Sequence, residues 1–394
     1  MALVAARPSA EVDSFDAAGG PPVRQARKPD LLDPSLWKGN AMPRFSRRSF
    51  LAATAGSLAW GACWPGGWPL GLRAQGFDPE RSAADLINDR TQAAIDNGLA
   101  YLVARQNEDG SFGSGGYSRN VAVVALSGMA FMASGSTPSR GPLGEPCERV
   151  VNFLLSHTQD DGFIVVPESA SHGPMYGHGF ATLFLAEAYG MTMRPDIREK
   201  LKKAVRLIVE TQNHEGGWRY QPQPREADIS VTICQIMALR AARNAGIYVP
   251  KTTVDACIDY VKRSQNPDGG FMYLLSGGPS LFPRSAAGVV ALYSAGYDGP
   301  EIKKGLEYLI KERPRGRFNR HGHYFYGHYY AVQAMWHAGG EYWSNWYPAI
   351  RDELLTLQRG DGSWTDDAIC AEYATAMACI ILQMPNNYLP ILQR

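Results

Sequence analysis

No CxxC pair occurs in this 394-residue sequence, although it holds six cysteines. Scattered at Cys63, Cys147, Cys234, Cys257, Cys370 and Cys379, they exclude a zinc ribbon and a disulfide scaffold. Charge of neither sign is in excess, with 39 Lys and Arg against 38 Asp and Glu. Residues 1–74 hold 9 and 5 of these, so the rest of the chain carries 30 against 33. Such a faintly acidic body has no electrostatic reason to bind nucleic acid. A strongly apolar run is also missing. The 24 uncharged residues from Ser49 to Leu72 are mostly small and are broken by Pro65, Gly66, Gly67 and Pro69. A membrane span wants about 20 apolar residues without such breakers, so none is expected in the mature chain. No strand pattern longer than a hairpin stub is present. What the chain does have is glycine, 41 residues, and aromatics, 11%, and both recur periodically.

The N-terminus reads as an address. Arg47 and Arg48 precede the weak apolar run and resemble a twin-arginine export signal. Leu72-Arg73-Ala74 suits cleavage, so residues 1–74 are expected to be a leader and the mature chain to be exported to the periplasm. Met42 opens a more compact leader, and residues 1–41 are either an over-extended start or a long polar n-region.

From 75 to 394 one unit repeats. Gln106 to Phe112, Gln212 to Trp218, Gln265 to Phe271 and Gln358 to Trp364 share the pattern Gln-x-x-x-Gly-x-aromatic. Gln159 to Phe163 and Glu312 to Phe318 are weaker copies. The glycines fall at 110, 162, 216, 269, 316 and 362, a near-constant step. A one-sided helix precedes each motif; Ile197, Leu201, Ala204, Val205 and Ile208 mark such a face, with Asp196 and Glu199 as its start signal. A helix apolar almost all round follows each motif, as over 121–132, 180–188, 229–239, 289–295, 330–335 and 371–382. The motif glycine is expected to end the first helix in a left-handed conformation. Alternating half-buried and fully buried helices predict an all-α fold, a ring of six helical hairpins with the apolar helices inside.

These Gln-x-x-x-Gly-x-Trp repeats (QW-like) resemble the prenyltransferase and squalene-oxidase repeat of triterpene cyclases and protein prenyltransferase β subunits. The resemblance covers residues 90–385 and implies an α6/α6 toroid in which Gln106, Gln212, Gln265, Gln358, Trp218 and Trp364 are structural.

In such a ring the starts of the inner helices gather at one end. Tyr117, Arg119, Tyr176, His178, Glu226, Asp228, Phe282, Arg284, Tyr326, His328, Tyr330, Asp366 and Asp367 would form a polar collar. Tyr-Gly-His occurs at 176–178 and again at 326–328, in units that face each other, so both histidines are expected to point into one pocket. Below the collar lie Phe131, Phe180, Phe184, Tyr293, Trp336 and Tyr373, making a small hydrophobic ligand the expected partner. The ligand-binding candidates are Arg119, Tyr176, His178, Arg284, Tyr326, His328, Tyr330, Asp367 and Tyr373.

The resemblance implies class II terpene cyclase chemistry, in which an Asp-x-Asp-Asp motif protonates an alkene. Here the segment reads Glu226-Ala227-Asp228-Ile229, which puts Asp228 on the proton-donating position with Glu226 beside it. Two of the family's aspartates are replaced, and the second helical barrel of the cyclases is not evident. Ile229 would help to keep Asp228 protonated by desolvation. Zinc binding of the protein prenyltransferase kind is not expected, because Asp367-Ala-Ile-Cys370 has the wrong spacing and no histidine follows it. A zinc site from His178, His328 and Asp367 is set aside because lone histidines are more often structural, so neither metal nor cofactor is expected. Two alternatives stay open: a non-catalytic binding or scaffold toroid, and a carbohydrate-active α6/α6 enzyme using Asp228 and Asp367 as paired carboxylates.

Overall fold

A computed structural model describes residues 86–314 and 322–393. The expected export signal, Met42 and most of the Glu312–Phe318 motif copy lie outside them.

Among the described residues there are isolated bridges but no strands. The amphipathic helices are α1 (Asp89–Arg105), α3 (Gly144–Ser156), α5 (Pro195–Glu210), α7 (Lys251–Arg263), α9 (Pro300–Leu309) and α11 (Gly340–Leu357). Each is followed by an apolar helix, in turn α2 (Val121–Ala133), α4 (Pro174–Thr192), α6 (Ile229–Asn244), α8 (Phe282–Ala295), α10 (Tyr324–Ala338) and α12 (Ala371–Gln383). The apolar helices pack each on the next, and α12 returns to α2, which closes the ring. They are buried on every side because both neighbours, an outer helix and the barrel interior all cover them. The result is the all-α toroid of six hairpins that the repeat spacing predicted.

The motifs weld the outer layer. In the four full copies, at Gln106, Gln212, Gln265 and Gln358, the glutamine Nε2 donates to its own motif glycine and to a carbonyl at the start of the next outer helix. Gln212 thus reaches Gly216 O at 2.8 Å and Thr253 O at 2.9 Å, and Gln265 reaches Gly269 O at 3.0 Å and Glu301 O at 2.8 Å. Gln358 bonds Ala94 O at 2.8 Å and so joins the last unit to the first. Trp218 and Trp364 donate from Nε1 to Ile208 O and Leu354 O of their own outer helices at 2.7 and 2.9 Å. The motif glycine does not end the helix, as expected, but lies in the turn beyond it; α1 ends at Arg105, five residues before Gly110. Its φ is positive, +98° at Gly216, and a Cβ there would fall on the Ala256 carbonyl oxygen of the next outer helix.

Two details of the helix starts differ from expectation. Asp196 does not cap α5, which begins on Pro195 at its first turn; Asp196 pairs instead with Arg194. Helices α4, α8 and α10 begin six or seven residues earlier than the apolar runs, so both Tyr-Gly-His segments are helical. Their glycines serve close packing: a Cβ on Gly177 would lie 2.6 Å from Val121 Cγ2, and one on Gly327 would lie 2.8 Å from Phe282 Cε1.

Candidate functional site

Asp228 sits at the head of α6 in extended backbone, fully buried. Its N–H donates to Trp218 O at 2.9 Å, and the following Ile229 N–H donates to Tyr273 O at 3.2 Å. Oδ1 caps the helix, accepting from Ser230 N and Val231 N, both at 2.9 Å. Oδ2 is buried with no hydrogen-bond partner. Burial pushes the carboxyl up to about 6, against the downward pull of the helix N–H groups, Arg219 and the nearby Tyr273 hydroxyl. A plain cap would fall below the usual carboxylate range, so here desolvation outweighs capping.

Around Asp228 stands a cage of phenols. The Tyr220 and Tyr273 hydroxyls bond each other, and Arg219 lies over both rings, 4.9 and 5.8 Å from their centroids. The Tyr176 ring is 6.0 Å from that of Tyr220. Tyr326 donates to Ser230 O at 2.9 Å, and Tyr330 O–H meets Cys234 Sγ at 3.4 Å. Buried Tyr373, at the start of α12, also lies within electrostatic reach of Cys234. Tyr326, Tyr330 and Tyr373 are held far above the ordinary phenol pKa by burial, so they remain neutral and present O–H groups and ring faces. The half-buried Arg284 guanidinium lies 5.6 Å from the Tyr273 centroid. Tyr176 and Tyr326 thus lie within electrostatic reach of Asp228, Tyr330 and Tyr373 lie beside Cys234 further along α6, and Arg284 lies against Tyr273.

The other expected residues do not join them. Glu226 is turned to solvent and paired with Arg219 at 3.0 Å, so it is not a second buried carboxyl. Arg119 is exposed, 3.2 Å from Asp109 and over the Phe153 ring at 5.6 Å, on the outer side of the mouth. Asp367 is exposed. The two histidines repeat each other as their sequence symmetry implies, but both face outward. His178 Nδ1 accepts the Ile164 N–H at 3.2 Å, which leaves the ring proton on Nε2, 3.3 Å from Ala204 O of outer helix α5. His328 packs between Phe282, Tyr324 and Trp346, the last on outer helix α11. Burial holds both neutral, at about 4 and about 3. The reason is helical register: two positions at about 100° each put Tyr and His on opposite faces, so a lumen-facing Tyr forces an outward His. Among the described residues no group of three or more His, Cys, Asp or Glu is arranged to hold a metal ion.

Tyr220 and Tyr273 were not among the expected residues. A signal for them existed, since each stands two residues after its motif aromatic, in Trp218-Arg-Tyr220 and Phe271-Met-Tyr273.

Residues 86–218 and 148–280 each match the prenyltransferase alpha-alpha toroid domain. Residues 86–280 therefore form a prenyltransferase alpha-alpha toroid domain. A similar curated protein is drimenyl diphosphate synthase of Streptomyces showdoensis, 26% identical over 184 residues, 46% of this chain and 33% of the relative. A second, from Streptantibioticus cattleyicolor, is 32% identical over 110 residues, 28% of this chain and 20% of the relative. The aligned part of the toroid thus spans a third or less of the length of these relatives. Among solved structures, the type II terpene cyclase MstE from Scytonema superposes with a TM-score of 0.54 at 15% identity, over 77% of this chain and 100% of that one. An α-1,6-mannanase, GH76A of Salegentibacter sp. HEL1_6, superposes with a TM-score of 0.55 at 8% identity, over 75% and 98%. At such identities the likeness is one of fold, and the toroid fold serves both chemistries. No helix among the described residues is long and apolar enough to cross a membrane.

Proposed function

We propose that the toroid binds a linear polyisoprenoid and that Asp228 protonates it to start cyclisation, as in a class II terpene cyclase. The observation that carries this is the Asp228 carboxyl: buried, raised to about 6, with one oxygen fixed and the other free. Because Oδ1 is engaged by two N–H donors, the acid proton belongs on Oδ2, where it can be given to an alkene carbon. Oδ2 is left as the carboxylate when that proton goes, and Arg219 and the Tyr273 hydroxyl favour the ion. The neutral phenol rings of Tyr176, Tyr326, Tyr330 and Tyr373 offer faces that stabilise the resulting cation. The names of the relatives, drimenyl diphosphate synthase and type II terpene cyclase, support the same reaction class.

A carbohydrate-cleaving toroid would need a second carboxyl facing Asp228 across the site. Glu226 is paired in solvent and Asp367 is exposed, so neither residue favours that reading. We further propose that Arg47 and Arg48 direct twin-arginine export, which would place this chemistry in the periplasm.

The test is to incubate the protein and its Asp228→Asn variant with farnesyl- and geranylgeranyl-chain substrates. The wild type is expected to convert at least one, and the variant to bind it without converting it. Equal turnover by the variant contradicts the assignment, and binding without turnover by the wild type leaves a binding toroid.

A further inference from the structure

At the opposite end of the barrel, the last described residues turn back beneath the inner helices. Leu389, Ile391 and Leu392 are buried there. In this apolar floor stands Glu187 of α4, 3% exposed, its Oε2 accepting the Ile391 N–H at 3.3 Å. Tyr176, Phe180, Leu183 and Glu187 follow at steps of four, three and four, a single stripe of α4, so Glu187 lies on the face that presents Tyr176 at the mouth. Eleven residues at about 1.5 Å each set it about 16 Å below Tyr176. Between them Phe180 meets Tyr329 of α10, the helix opposite in the ring, at 6.1 Å between centroids. The Tyr329 hydroxyl is buried without a hydrogen-bond partner and lies within electrostatic reach of Glu187. Arg240 of α6 is the cation that acts on Glu187. The barrel therefore has a second polar locus at its closed end, which the initiating step does not use.

We propose that Glu187 is the proton acceptor that ends the reaction. This rests on the cyclase reading and completes its chemistry. At the mouth the Asp228 O–H bond breaks and its proton joins the terminal alkene carbon; the π pairs of the chain then close rings and carry the cation inward. At the floor a C–H bond beside the last cationic carbon breaks, its electron pair becomes a C=C bond, and the proton passes to the Glu187 carboxylate. One proton enters and one leaves, so the product is an olefin of the same mass as the substrate. Burial holds Glu187 at about 7, so near neutral pH a large share of the molecules carry the base form.

The experiment compares products of the wild type, Glu187→Gln and Glu187→Asp on a geranylgeranyl-chain substrate by mass spectrometry. Glu187→Gln keeps an acceptor for the Ile391 N–H, and thermal melts check its fold. The wild type is expected to give an isomeric olefin. Glu187→Gln is expected to go on consuming substrate but to release hydrated or differently placed olefinic products, and Glu187→Asp to restore the original one. The same product mixture from Glu187→Gln overturns the proposal. A second measurement needs no turnover: binding of a polyprenyl amine, whose ammonium mimics the final cation, at pH 6 and pH 8. A carboxyl near 7 predicts affinity ~10-fold higher at pH 8 through Glu187, a component that Glu187→Gln removes while any contribution of Asp228 persists. An unchanged pH dependence in Glu187→Gln overturns the proposal. If the wild type converts no polyprene the cyclase reading falls by itself, and the amine titration still decides whether Glu187 faces the ligand.

Discussion

Replacing Asp228 by Asn separates a buried acid from an ordinary helix cap by stability alone. In the fold the carboxyl is raised from 3.8 to about 6 by burial. Between those values the native state holds a proton that the unfolded chain has released, so stability is greatest below about pH 4 and falls as pH rises to about 6. Above that the native state carries the full cost of a buried carboxylate. A shift of roughly two units at 1.36 kcal/mol each makes that cost about 3 kcal/mol. The substituted asparagine would keep an acceptor for the Ser230 and Val231 N–H groups and carries no charge. Its amide NH2 would stand where Oδ2 has no partner, a loss of about 1 kcal/mol. Asp228→Asn is therefore expected to be about 2 kcal/mol more stable than the wild type at pH 8 and to lose that advantage at pH 4. Urea unfolding at the two pH values measures it. A variant less stable than the wild type at pH 8 would show a carboxylate that the fold stabilises, and would refute the raised pKa.

Other consequences follow from single contacts. Gly216→Ala forces a side chain into positive φ and onto the Ala256 carbonyl, so it is expected to cost about 3 kcal/mol or more by urea unfolding; a cost under about 1 kcal/mol would contradict the motif geometry. Tyr273→Phe removes a hydroxyl that lowers the Asp228 pKa, so the pH above which turnover fails is expected to move upward; a downward shift refutes the role. Changing Arg47 and Arg48 together to Lys is expected to stop export, because arginine's planar fork and lysine's ammonium are not equivalent to a receptor; unchanged export removes the claim.

How far the sequence could be read depended on what periodicity encodes. The buried face of the outer helix α5 was legible because Ile197, Leu201, Ala204, Val205 and Ile208 recur at helical spacing, and all five are buried. The ring was legible because the motif recurs at a near-constant step. The first turns of α4, α8 and α10 were not, since Pro174, Gly177, Pro283 and Gly327 look like breakers until the close approach of neighbouring inner helices explains them. Asp228 at a helix start was legible from the Glu-Ala-Asp-Ile segment. The direction of the histidines was available but obscured by symmetry: a two-residue offset on a helix separates Tyr from His, whichever unit they occupy. Arg119 and Asp367 lie in loops, where no period says which way a side chain turns. Arg119 took Asp109 and the Phe153 ring as partners instead of the lumen.

If Asp228 is the initiating acid, its proton becomes part of the product. Turnover of a polyprene in D2O tests this directly, with the product examined by mass spectrometry. The expected result is a cyclic product carrying one deuteron, bound to the carbon of the former terminal alkene, and no such product from Asp228→Asn. A cyclic product without deuterium, or a deuterated one formed equally well by Asp228→Asn, would contradict it.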